Sequence, residues 1–239
     1  MKLTVSLVLA GLLTVPAATT TAGPAVEIPN PEFNFGRVCQ KSKISHIFWI
    51  KSTGDDSLRI TKIVPGCGCT QAPITDSVIA PGDSTAWEIF FTSRSYRGKV
   101  TKRPYFETNA GDRKYYVRIT AELIPEPDTV MPLSLNPYNL DVSQFTSKPR
   151  RRAKFLIENK SSRDYELTLI DWSRKYFDVE LPKKIKAGET AEGIVTVHKD
   201  MVDSEFEQSL TFEISDENHT RYTLPVRRMV RIKETDRHR

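Results

Sequence analysis

His46-Ile47-Phe48-Trp49-Ile50-Lys51-Ser52 returns about 107 residues later as Ala153-Lys154-Phe155-Leu156-Ile157-Glu158-Asn159. In both stretches the apolar positions follow the period of two that marks a β-strand. The likeness continues downstream. Leu58-Arg59-Ile60-Thr61-Lys62-Ile63 is matched by Leu167-Thr168-Leu169-Ile170-Asp171-Trp172, and Ile79-Ala80-Pro81-Gly82-Asp83 by Ile185-Lys186-Ala187-Gly188-Glu189. The final runs, Tyr115 to Leu123 and Tyr222 to Val230, correspond as well. Self-similarity at this spacing predicts one fold written twice.

Within the first copy, clear runs span 33–38, 44–52, 58–64, 84–92, 99–108 and 114–123, bounded by Gly, Pro, Asn, Asp and Ser. Helical periodicity is nearly absent. Six short strands with frequent turns predict an all-β chain of two tandem immunoglobulin-like β-sandwich domains. The 239 residues allow a domain over 26–124, a linker over 125–129 with Pro125 and Pro127, a second domain over 130–232 and a polar tail over 233–239. Proline fixes φ and restrains the residue before it, so the linker is read as stiff.

With 38% hydrophobic and 27% charged residues, the composition is globular rather than disordered or membrane-spanning. The net charge of +5 is modest. The basic clusters at Lys148 to Lys154 and Arg227 to Arg231 have no interleaved stacking aromatics, so they read as solvated strand ends and not as a nucleic-acid surface. Met1-Lys2 followed by the apolar run Leu3 to Val15 reads as a signal peptide over 1–22, with small residues offering cleavage after Ala17 or Ala22. No second long apolar run follows, so the mature chain is expected to be exported, periplasmic or secreted, with no membrane span.

A set of ordered motifs narrows the first copy further: Phe33-Asn34-Phe35-Gly36-Arg37-Val38, Ser45-His46-Ile47-Phe48, Ser52-Thr53-Gly54-Asp55, Pro65-Gly66-Cys67-Gly68-Cys69-Thr70, Ile79-Ala80-Pro81-Gly82-Asp83 and Thr108-Asn109. Through these residues it resembles the bacterial family labelled domain of unknown function 1573, itself similar to the Hydin-like and major-sperm-protein-like immunoglobulin sandwiches. Cys-Gly-Cys-Thr is the most specific element of the match. Two positions depart from the family pattern. Ser52 stands where Asn usually precedes Thr-Gly, and Cys39 stands where a small or polar residue is expected. The second copy has no cysteine, so there the resemblance supports the fold alone.

The cysteines carry the chemistry. Pairing of 44–52 with 58–64 across Thr53-Gly54-Asp55-Asp56 would set Val64 opposite His46 and make Cys39 and His46 neighbours. Three readings then stand open. One is a structural disulfide between Cys39 and either Cys67 or Cys69. Another is a soft-metal site for copper or zinc, using Cys67, Cys69 and either His46 or Cys39. The third is a redox-active Cys67–Cys69 bond or simple thiols. His198, His219 and His238 have no cysteines or carboxylates clustered around them, and no nucleophile, metalloprotease or phosphate-loop motif occurs. Trp49, Trp87 and Trp172 are expected to pack in cores. Exposed strand edges are the expected contact surface. The sequence thus predicts a non-enzymatic binding or scaffolding protein with a protein or cell-envelope partner and no cofactor. The alternative is a metal-binding or thiol-redox protein built on Cys67 and Cys69.

Overall fold

In Lys43–Ser52, Ile44, Phe48 and Ile50 are buried while Ile47 and Trp49 face solvent, and in Arg152–Asn159 burial alternates at every residue. A strand with one wet face must cover its other face with a second sheet. Both copies do so in the computed structural model, which describes residues 23–125 and 131–231. The signal peptide expected over 1–22, most of the linker and the tail over 233–239 lie outside the described residues.

The first copy contains β1 (Val26–Glu27), β2 (Glu32–Cys39), β3 (Lys43–Ser52), β4 (Leu58–Val64), β5 (Thr70–Gln71), β6 (Val78–Ile79), β7 (Ser84–Thr92), β8 (Gly98–Lys102), β9 (Tyr105–Thr108), β10 (Lys114–Tyr116) and β11 (Arg118–Ile124). The second contains β12 (Leu133–Asn136), β13 (Leu140–Asp141), β14 (Arg152–Asn159), β15 (Tyr165–Trp172), β16 (Phe177–Glu180), β17 (Lys184–Ile185), β18 (Thr190–Val197), β19 (Phe206–Ile214) and β20 (Arg221–Arg228).

The duplication is visible in the connectivity. The sheet β1-β3-β7-β5 of the first copy has its counterpart in β12-β14-β18-β16 of the second, and β9-β4-β6 in β19-β15-β17. The same hydrogen bonds close the same turn. Gly82 (φ +82°) donates to the Ser52 carbonyl and Asp83 to that of Ala80, as Gly188 (φ +71°) donates to Asn159 and Glu189 to Lys186. A positive φ is cheap only for glycine, which explains its place in both turns. Even the irregularity repeats: β4 and β15 each skip one residue in register, between Ile60 and Lys62 and between Leu169 and Asp171. The two immunoglobulin-like sandwiches have separate cores, one around Trp87, Phe48, Phe91 and Phe106, the other around Phe155, Phe177, Phe212 and Leu224.

The expected hairpin between 44–52 and 58–64 does not form. β3 pairs with β7, setting His46 opposite Ile89, and β4 pairs with β9, setting Val64 opposite Tyr105. Ile44, Phe48 and Ile50 must meet Leu58 across the core, so Thr53–Ser57 carries the chain from one sheet to the other instead of folding it back within one.

One sheet runs through both copies in the order β17-β15-β19-β20-β2-β11-β8. β2 and β20 meet in parallel at Arg37 and Tyr222. Side chains complete this junction: Thr223 Oγ1 donates to the Phe35 carbonyl at 2.6 Å, and Arg37 Nη1 donates to Tyr222 Oη at 3.1 Å. Gly36 makes the approach possible. Its φ is +66°, and a Cβ built on it would lie 2.2 Å from the Arg221 carbonyl oxygen.

Candidate functional site

Pro65-Gly66-Cys67-Gly68-Cys69 links β4 to β5, with Gly66 in the left-handed region at φ +88°. Thr70 N–H donates to the Cys67 carbonyl, folding the loop back so that Cys67 and Cys69 are joined by a disulfide with Cα atoms 5.3 Å apart. Thr92 N–H, on β7, anchors the Cys69 carbonyl at 2.9 Å. Arg94, itself at φ +45°, donates from Nη2 to the Gly68 carbonyl at 3.3 Å. The two sulfurs differ in environment. Cys67 is half-buried between the exposed Gly66 and Gly68, whereas Cys69 is buried in the first core. Tyr96 Oη donates to Cys69 Sγ at 3.8 Å, and Thr70 Oγ1 lies 3.3 Å from Cys67 Sγ and 3.9 Å from Cys69 Sγ. Lys102 Nζ sits 4.5 Å from the Tyr96 ring centre.

Cys39 is outside this bond, contrary to the expected disulfide from Cys39 to Cys67 or Cys69. It ends β2, paired in register with Ile124, and lines a small apolar pocket with Val38, Leu133 and Leu135. A bond from Cys67 to Cys69 closes within one loop and asks nothing of β2.

His46 is not brought to the cysteines. Its ring stacks on Phe33 with centroids 3.7 Å apart, at the opposite end of β2 from Cys39, and its Nδ1 lies 2.6 Å from Asp171 Oδ2 of the second copy. The set Cys67, Cys69 and His46 is therefore not assembled as a copper or zinc site. Neither bonded sulfur is a thiolate, and among the described residues no group of three or more His, Cys, Asp or Glu side chains converges on one point. His198 pairs with Asp178 and His219 with Glu213, each within its own surface.

His46 belongs instead to a polar seam between the copies. Ser45 Oγ donates to Gln208 Oε1 at 2.6 Å, and Gln208 Nε2 donates to Glu88 Oε1 at 3.0 Å. Lys43 pairs with Glu207 at 3.0 Å. The register skip in β15 lets Ile170 pack on the first core while Asp171 reaches His46, the kind of redirection that a bulge provides. Burial pushes the Glu88 carboxyl above the usual carboxylate range, and the charge of Asp171 adds to this, while Gln208, Lys175 and Lys43 pull the other way.

The tryptophans divide. Trp87 fills the first core at 0% exposure, and Trp172 packs against the second core with the Arg174 guanidinium 4.3 Å over its ring. Trp49, expected in a core, is 53% exposed on the outer face of β3, beside Ile47 at 36%. Phe48 and Ile50 take the inward positions, so strand alternation turns Trp49 out. Opposite them on β7 stand Ala86 and Glu88. Sequence reasoning missed Asp171, Gln208, Tyr96 and Arg94. Asp171 falls at the duplicated irregularity, but the partner it reaches lies in the other copy.

Residues 26–123 match the model of a family described as protein of unknown function (DUF1573), so the first sandwich carries that family's sequence pattern, as its motifs implied. No curated protein matches the sequence. Among solved structures, a protein of unknown function from Porphyromonas gingivalis W83 is similar at 10% identity and a TM-score of 0.36, covering 85% of this chain and 98% of its own. A PapD-like domain of human CEP192 is similar at 13% identity and a TM-score of 0.36, covering 52% of this chain and 99% of its own. The YadV chaperone is similar at 13% identity and a TM-score of 0.30, covering 84% of this chain and 98% of its own. At scores this low none of them bears on function.

Proposed function

We propose that the protein is an exported, non-catalytic binding or scaffolding module of the cell envelope that presents the outer face of β3 to a protein partner. The observation that carries this reading is the exposed pair Ile47 and Trp49 on a strand whose inward positions are already filled. A half-exposed tryptophan is the kind of residue that interfaces enrich and free surfaces avoid. The shared sheet and the polar seam support it further, because a stiff body binds without first ordering its own domains. The apolar opening segment and the Cys67–Cys69 bond both suit an oxidising compartment outside the cytoplasm.

The test is site-specific photo-crosslinking in cells that export the full chain, with the probe at Trp49 and a control probe at the exposed Glu217. A discrete adduct from position 49 alone is expected. Equal labelling from both positions, or specific hydrolytic turnover by the purified protein, would overturn the reading.

A further inference from the structure

We infer that the Cys67–Cys69 bond is a thiol–disulfide exchange site that takes two electrons from a dithiol partner, with Cys67 as the attacked sulfur and Cys69 as the leaving group. A structural role explains the bond poorly. A disulfide stabilises chiefly by closing a loop in the unfolded chain, and this one spans only three residues, the least favourable case. The second copy builds the same sandwich with no cysteine at all, placing the Ser173–Tyr176 turn where the first has its Cys-Gly-Cys loop.

The surroundings fit exchange. The half-buried Cys67 lies between two exposed glycines, which leave room for another chain to approach, while the buried Cys69 is shielded from direct attack. Cleavage needs a stabilised departing thiolate, because exchange speeds up as the leaving sulfur becomes less basic. Tyr96 Oη already donates to Cys69 Sγ and, among the described residues, to no other sulfur, with Lys102 behind the Tyr96 ring. Thr70 Oγ1 stands between the two sulfurs, at 3.3 Å from Cys67 and 3.9 Å from Cys69. Cationic and hydrogen-bond-donating neighbours lower the basicity of a thiolate. Arg94 fixes the loop from the other side through the Gly68 carbonyl.

In the first step a partner thiolate attacks Cys67 Sγ, the Cys67–Cys69 bond breaks, and Cys69 leaves as a thiolate that takes up a proton. The partner's second thiolate then attacks its own sulfur in the mixed disulfide and releases Cys67 as a thiolate, which is protonated in turn. The net change reduces the protein disulfide to two thiols and oxidises the partner dithiol to a disulfide, with two electrons and two protons transferred.

The test uses the full chain, exposed without denaturant to dithiothreitol and separately to reduced thioredoxin, with thiols counted and located by differential alkylation. The thiol count should rise by two, both new thiols mapping to Cys67 and Cys69, while the melting transition remains cooperative. Reduced Cys69→Ser should form a mixed disulfide with an aromatic disulfide reagent at Cys67, and reduced Cys67→Ser should react at Cys69 at least about 10-fold more slowly, as burial of the thiol requires. Tyr96→Phe should slow the reduction about 3-fold or more, since it removes a donor to the leaving sulfur. Release of the thiols only on unfolding, loss of the first sandwich on reduction, or trapping at Cys69 in preference to Cys67 would overturn the proposal. Reaction with dithiothreitol but not with thioredoxin would overturn a protein dithiol as the partner. None of these outcomes depends on Trp49, so failure here is distinct from failure of the binding reading.

Discussion

Ser45 and Ser209 bond to each other twice across the boundary between the copies: the Ser45 N–H donates to Ser209 Oγ at 3.1 Å, and Ser209 Oγ donates back to the Ser45 carbonyl at 3.1 Å. One hydroxyl thus serves both backbone groups on the edge of β3 away from β7, where among the described residues no strand pairs with it, since β1 reaches only Lys51 and Ser52. An open strand edge is a template for unwanted pairing, and here the second copy covers it. Ser209→Ala removes both bonds and leaves two buried backbone groups unserved. The expected loss is about 1–3 kcal/mol of unfolding free energy, read as a lower denaturant midpoint with an unchanged slope.

Gly36→Ala should loosen the junction itself. The new methyl would meet the Arg221 carbonyl carbon and oxygen, which are backbone and cannot swing aside, and the φ of +66° is unfavourable for alanine. A cost of about 2 kcal/mol or more follows from overpacking plus backbone strain. The measurable sign is faster hydrogen exchange at Phe35 and Thr223, with the amides of Phe155 and Val195 in the second core unaffected.

Glu88 supplies a pH dependence. Its carboxyl titrates higher in the folded protein than in the unfolded chain because burial disfavours its charge. The stability linked to holding that proton is full in acid and is lost as the pH rises through the folded value. Glu88→Gln keeps a carbonyl to accept from Gln208 and never ionises. Its melting temperature should therefore exceed that of the parent at about pH 7.5, and the difference should shrink towards zero at about pH 4, at the foot of the carboxylate range. A difference that grows in acid would contradict the assignment.

Ser52 is the weak member of the duplicated turn. In the second copy Asn159 Nδ2 donates to the carbonyls of Arg163 and Lys186 at 2.7 and 2.9 Å, and its Oδ1 accepts from Ser161. Ser52, 1% exposed, holds a buried hydroxyl with no hydrogen-bond partner among the described residues. Ser52→Asn lets the side chain reach the Ala80 carbonyl, the counterpart of Lys186. A gain of about 1 kcal/mol is expected, equivalent to about 2–4 °C in a chain of this size, measured by calorimetry.

The parts of the fold that depend on local pattern could be read from sequence, and the parts that depend on which sheet a strand joins could not. Alternation located the strands, and the glycines at 82 and 188 marked equivalent turns because both need a positive φ. The same alternation also assigns Trp49 to the outside once Phe48 and Ile50 are taken as inward. The pairing of β3 was hidden, because five residues from Thr53 to Ser57 suffice equally for a hairpin or for a crossing between sheets. Among the cysteines, spacing singled out Cys67 and Cys69 but left their bonding partner open. The seam of Ser45, His46, Glu88, Asp171 and Gln208 joins residues more than 100 positions apart, and nothing near any of them in sequence announces the contact.

The parallel meeting of β2 with β20 sets an order of events for a chain delivered end first. β2 is the second strand to emerge and β20 the last of those described, yet they lie side by side in one sheet. The first sandwich can gather its own core early, while the flank of β2 at Phe35 and Arg37 waits for Tyr222 and Thr223. Contacts this distant in sequence form slowly because the intervening loop must close first. During that interval the half-finished edge is the place where a chaperone, or a second copy of the same chain, can intervene.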